Sequence, residues 1–240
     1  MGTDIINKAK PRIVRGRIEL WTPHTDKEIA FAYPSVGPNI YRELGKVILA
    51  NNQLVPHGDY TAALLHAAYC VPEVRDEPEY KNVRDIMRRR WLSVFNKNRW
   101  TTNGVYVVQD TKAVGLSEPL PDNLETLLEG ATEVDGVRFS KNGKVRFAPK
   151  GTYQLGELTT DAFAKDGFVR ASVGIEGAQK LAEVASCFKY NPRTWGLEIG
   201  ENQDPEERVS ALGDYVGSRL DLYGDYFGDG SGGHAFGVLQ

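Results

Sequence analysis

VRFSKNGKVRF, residues 137–147, is the stretch on which the fold turns: Val137, Phe139, Val145 and Phe147 alternate with polar neighbours on both sides of Asn142-Gly143. That dipeptide readily takes the positive φ angles of a type I′ turn, so the stretch predicts a tight β-hairpin. Working outward, GVYVVQD at 104–110, FVRASV at 168–173 and the Gly-rich end from SRLDLYGDYFG onward also read as strands. Between them lie a short helix at DNLETLL and an amphipathic helix over GIEGAQKLAEVASC.

Upstream of residue 101 the character is helical. Residues 12–20 alternate as a half-buried strand, with EIAFAYP at 28–34 as its hairpin partner. Ile40, Leu44, Val47 and Ile48 then recur at helical spacing over 39–50. TAALLHAAYC, residues 61–70, is apolar nearly all round and predicts a central, closely packed helix. A further helix is predicted over about 78–96, opened by Pro78, with Arg90 projecting among Val83, Met87 and Val94 and so requiring a partner. The expected fold is α+β: a helix-rich N-terminal portion with an N-terminal hairpin, a strand-rich C-terminal portion, and a mainly antiparallel sheet. One domain over 1–240 is expected, with two lobes meeting near 111–130 as the alternative.

A net charge of −3 excludes a global field that would draw the molecule onto nucleic acid or an anionic membrane. The charge is polarised, however, with 16 basic and 11 acidic residues in 1–100 against 13 and 21 in 101–240. Cys70 and Cys187 lie far apart in apolar contexts, which predicts buried thiols in a reducing, cytoplasmic compartment rather than a disulfide scaffold. Neither sits in the Gly-rich, helix-opening context that activates a catalytic thiol. No secretory signal and no membrane span are expected, the best apolar run being too short.

Two constellations could carry chemistry. In YKNVRDIMRRRWLSVFNKNRW, residues 80–100, Lys81, Arg84, Arg88, Arg89, Lys97 and Arg99 interleave with aromatic residues that include Trp100. Cations that neutralise phosphate beside rings that stack on bases predict binding of RNA or single-stranded DNA. The alternative places the aromatics in the core and the arginines on a solvated face. The second constellation is Asp221, Asp225, Asp229 and His234, which could hold a divalent metal for a hydrolase, although their spacing matches no known ligand code. A protein–protein assembly role is a third possibility. The glycines of GIEGA and the pair His66/Cys70 are weaker candidates, for an anion and a metal respectively. No catalytic residue and no cofactor is specified by the sequence.

Overall fold

The computed structural model describes residues 12–14, 19–24, 27–214 and 217–240. In chain order the elements are β1 (Arg12–Val14), β2 (Glu19–His24), β3 (Lys27–Ala32), β4 (Val36–Asn39), α1 (Tyr41–Ala50), α2 (Gly58–Cys70), α3 (Pro72–Arg75), α4 (Pro78–Arg89), β5 (Trp91–Thr101) and β6 (Gly104–Gln109). There follow α5 (Leu124–Leu127), β7 (Thr132–Val134), β8 (Val137–Phe139), β9 (Val145–Pro149), β10 (Gly156–Glu157), α6 (Thr160–Lys165), α7 (Gly167–Ala185), β11 (Arg193–Trp195), β12 (Glu206–Asp214), β13 (Leu220–Tyr226) and β14 (Gly233–Ala235). The α+β class and the mainly antiparallel pairing expected from the sequence are both present. The N-terminal hairpin is β2 against β3, with β1 added to its edge. The main sheet runs β10-β11-β13-β12-β5-β6-β9-β8-β7, and β14 joins it beside β5 and β4.

Four expectations about local structure are corrected. The helix predicted over 78–96 stops at Arg89, and Trp91–Thr101 is the central strand of the sheet. Strand β5 is buried on both faces, so it lacks the apolar–polar alternation of a half-exposed strand. Its polar residues are satisfied internally. Asn96 Nδ2 donates to the Ser172 carbonyl at 2.8 Å, and Asn98 Nδ2 donates to Ser210 Oγ at 2.9 Å and the Gly224 carbonyl at 3.0 Å. Arg90, expected to be buried with a partner, is instead the exposed, extended residue that ends α4.

FVRASV, predicted as a strand, forms the first turns of α7. Asp166 caps this helix by accepting from the Val169 amide at 3.0 Å, a stronger local signal than the β-branched content that follows. The helix breaks at Gly174, whose φ of 76° favours glycine and whose absent side chain leaves room for the Asp59 carboxylate. The 137–147 hairpin forms, with Arg138 opposite Phe147 and Phe139 opposite Arg146. Its turn is not type I′. Only Gly143 has a positive φ, its amide donates to Ser140 O at 2.8 Å, and Asn142 instead accepts from the Lys144 amide through Oδ1 at 3.0 Å.

Helices α2 and α7 cover one face of the sheet. Leu64, Leu65, Ala68, Val169, Val173 and Leu181 pack there against Leu92, Val94, Leu212 and Leu222 in one buried cluster. Burial of this kind, at roughly 25 cal/mol per Å² of apolar surface, is the main drive to the fold. On the other face α1 covers the middle of the sheet by setting Tyr41, Leu44 and Ile48 against Phe95 and Val209. Among the described residues, no helix is long and apolar enough to cross a membrane.

Candidate functional site

Register decides what lies on the part of that second face beyond α1. Gly213 pairs with Trp91 on one side and Asp221 on the other, and Ala211 pairs with Ser93 and Tyr223. Arg193 and Trp195 continue the row by pairing with Asp221 and Tyr223. Paired residues share a face, so two aromatic walls flank a floor of small residues on β12. A Cβ at position 213 would sit 3.2 Å from the Tyr223 ring and 3.8 Å from Trp91 Cβ, so any larger side chain there fills the gap between the walls.

The result is a cavity of about 530 Å³ lined by Trp91, Tyr223 and Tyr226, by Ala211, Gly213 and Asp214, and by the three consecutive arginines 88–90. The arginines reach it because α4 ends at its rim, with Arg88 and Arg89 in the last turn and Arg90 in extended backbone. All three are exposed. The walls are held from behind. Tyr226 meets Trp91 edge-on at 5.8 Å and donates to the Gly230 carbonyl at 3.1 Å. Trp195 stacks on Tyr223 with ring centroids 6.0 Å apart and planes 8° from parallel, and the Arg193 guanidinium lies 4.0 Å from the Trp195 ring centre. Asp221, fully buried, accepts from Trp195 Nε1 at 3.0 Å and lies 3.3 Å from Arg219 Nε.

Asp214 supplies the acidic group of the cavity. Burial pushes its carboxyl up to about 6, against the pull of the Arg219 and Ser218 amides and of Arg88. Below that pH the cavity therefore presents arginines, aromatic faces and a neutral carboxylic acid. Burial also raises Tyr226 above the ordinary phenol range.

The expectation of a nucleic-acid surface is corrected by where its residues lie. Lys97 is buried, with its ammonium on the Glu118 carbonyl and 3.5 Å from Glu207. Arg99 is tied to Glu207 at 2.7 Å and to the Leu120 and Pro121 carbonyls. Trp100 is fully enclosed, donating to the Gly224 carbonyl at 2.9 Å and packing on Phe168. Arg84 binds the carbonyls of Ala68 and Arg75. Lys81 is exposed, while Arg88 and Arg89 line the cavity just described. Within this stretch the rings of Phe95 and Trp100 are buried and Arg84, Lys97 and Arg99 are bound to carbonyls of the protein, so the predicted residues form no continuous basic and aromatic surface among the described residues.

The metal-hydrolase expectation is corrected in the same way. Asp221 is committed to Trp195 and Arg219, Asp229 is exposed, and His234 Nδ1 lies 3.2 Å from Ser35 Oγ. Burial raises Asp225 and, together with Arg90, lowers His234, but the two belong to no shared site. Among the described residues no three His, Cys, Asp or Glu side chains gather to hold a metal ion. That covers the pair His66/Cys70 as well, where His66 Nε2 instead meets Glu183 Oε2 at 2.8 Å.

Trp91, Ala211, Gly213, Asp214 and Tyr223 were not legible as a site. The signal in the sequence was the alternation of SRLDLYGDYFG, which puts Tyr223 on the same face as Asp221 and Asp225. No family model matches the sequence, and no curated protein matches it. A solved structure described as "Accommodation of massive sequence variation in Nanoarchaeota by the C-type lectin fold" is similar over 85% of this chain and 96% of its own, with a TM-score of 0.49 and 15% identity.

Proposed function

We propose that the protein is a binding module for a small organic anion that carries a flat ring, held in the Trp91–Tyr223 cavity. One observation carries the reading: three consecutive arginines stand at the rim of an aromatic-walled cavity whose floor, Ala211 and Gly213, carries no side chain larger than a methyl group. Guanidinium groups pair with carboxylate or phosphate in a planar fork, and aromatic walls favour a ring laid between them. At about 530 Å³ the cavity is in the range that small ligands occupy. The sparse, widely separated cysteines of the sequence also support a reducing, cytoplasmic setting.

The test is a titration of the full chain with benzoate and indole-3-acetate, each beside a neutral counterpart, followed by tryptophan fluorescence and by NMR of the ligand. Saturable binding of at least one anion, weakened about tenfold or more in an Arg88→Ala/Arg89→Ala variant, is expected; tenfold corresponds to about 1.4 kcal/mol. Gly213→Val should abolish it by filling the floor. Equal binding of the neutral counterparts, or none by any anion, overturns the proposal.

A further inference from the structure

The chain has two cysteines, 117 positions apart, and the fold brings them to one place. Cys70 is the last residue of α2, and Cys187 follows the end of α7 by two residues. The two helices converge here through contacts that bracket the cysteines. One turn earlier on each, His66 Nε2 meets Glu183 Oε2 at 2.8 Å, and immediately alongside, the rings of Tyr69 and Phe188 lie 5.3 Å apart. The Cys187 thiol donates to the Glu183 carbonyl at 3.8 Å, on the turn of α7 that meets His66 of α2, and it is near enough to Cys70 to perturb that thiol. Both are free, Cys187 exposed and Cys70 half-buried.

We infer that Cys70 and Cys187 form a modification site, a thiol pair that closes into an intramolecular disulfide on meeting a low-molecular-weight disulfide. The chemistry is an exchange in two steps. The Cys187 thiolate, the accessible one, attacks a sulfur of the oxidant, forming a mixed disulfide and releasing one equivalent of the small thiol. Cys70 then loses its proton and attacks the Cys187 sulfur, releasing the second equivalent. Two protein thiols are oxidised by two electrons, and the small disulfide is reduced to two thiols that take up the two protons. Cys187 is exposed and Cys70 half-buried, and burial with the neighbouring Cys187 pushes the Cys70 thiol up to about 12, so Cys187 attacks the oxidant first and Cys70 resolves. The product would tie the C-terminal end of α2 to that of α7, the two helices that cover the core face of the sheet.

The full chain, reduced and freed of reductant, is equilibrated with oxidised and reduced glutathione at increasing ratio, then alkylated, digested and mapped by mass spectrometry. A peptide containing Cys70 linked to one containing Cys187, loss of both alkylatable thiols in the monomer, and a melting midpoint that rises and returns with dithiothreitol are expected. Cys70→Ser should trap glutathione on Cys187, because the resolving thiol is gone, and its folded circular dichroism spectrum keeps that result interpretable. Separate glutathione adducts on both cysteines of the unaltered chain, Cys187-to-Cys187 dimers as the main product, or two thiols that persist at the most oxidising ratio would each overturn the inference. These outcomes do not depend on occupancy of the Trp91–Tyr223 cavity.

Discussion

Replacing Arg146 by Met tests how α2, α7 and the 137–147 hairpin are joined. The Arg146 guanidinium holds the Asp59 carboxylate through two bonds, Nη1 to Oδ1 at 2.8 Å and Nη2 to Oδ2 at 2.7 Å. It also donates to Ala171 O and Gly143 O, each at 3.2 Å. The side chain of Arg146 is 7% exposed and that of Asp59 is 18% exposed, so water cannot replace the lost partner fully. Burial acts to raise Asp59, yet Arg146 and His57 hold it far below the usual carboxylate range. Removing one partner of such a pair leaves a buried charge and costs about 3–5 kcal/mol. For a chain of this length that lowers the melting midpoint by about 10 °C. The assay is urea unfolding of the parent, Arg146→Met, Asp59→Asn and the double variant at neutral pH. The double variant should regain part of the loss, because no uncompensated carboxylate remains. The pH dependence adds a signed check: with its folded value depressed, Asp59 contributes stability that is present above the unfolded carboxyl range and lost as the pH falls below it. Arg146→Met should therefore flatten the acid limb. A loss under about 1 kcal/mol, or a double variant weaker than either single one, would refute the reasoning.

Asp166 should show the opposite sign: burial pushes it up to about 6, so its contribution is complete at low pH and falls by roughly 3 kcal/mol as the pH rises from the model-peptide range to about 6. Asp166→Asn, which keeps the cap, should bring the urea midpoints at about pH 4.5 and pH 7 closer together; unchanged spacing would count against it. Gly143→Val should cost roughly 1 kcal/mol or more, read by thermal melting, through backbone strain alone, because φ is 69° and nothing lies within 4 Å of the added Cβ. In the proposed binding cavity, protonating Asp214 removes a negative charge beside the anion, so benzoate affinity should rise about threefold to tenfold as the pH falls from about 7 to about 5. Asp214→Asn should bind at all these pH values as the parent does at the lowest; a parent whose affinity falls with acidification would contradict the assignment.

The sequence by itself determined the elements whose pattern is local. The apolar helix ending at Cys70, the amphipathic helix after Pro38, the hairpin around Asn142-Gly143 and the α+β class follow from periodicity and turn residues, which act over a few positions. Tertiary structure decided the rest, because burial on two sides removes the alternation that marks a strand. Trp91–Thr101 carries Asn, Lys and Arg at positions that only distant partners satisfy, Ser172, Ser210, Gly224 and Glu207 among them, so the central strand looked like the end of a basic helix. The same distance hides the cavity. Trp91, Gly213 and Tyr223 become neighbours only through the pairing of β5, β12 and β13, and the meaning of three arginines changes when the helix stops at Arg89 and turns them toward those rings.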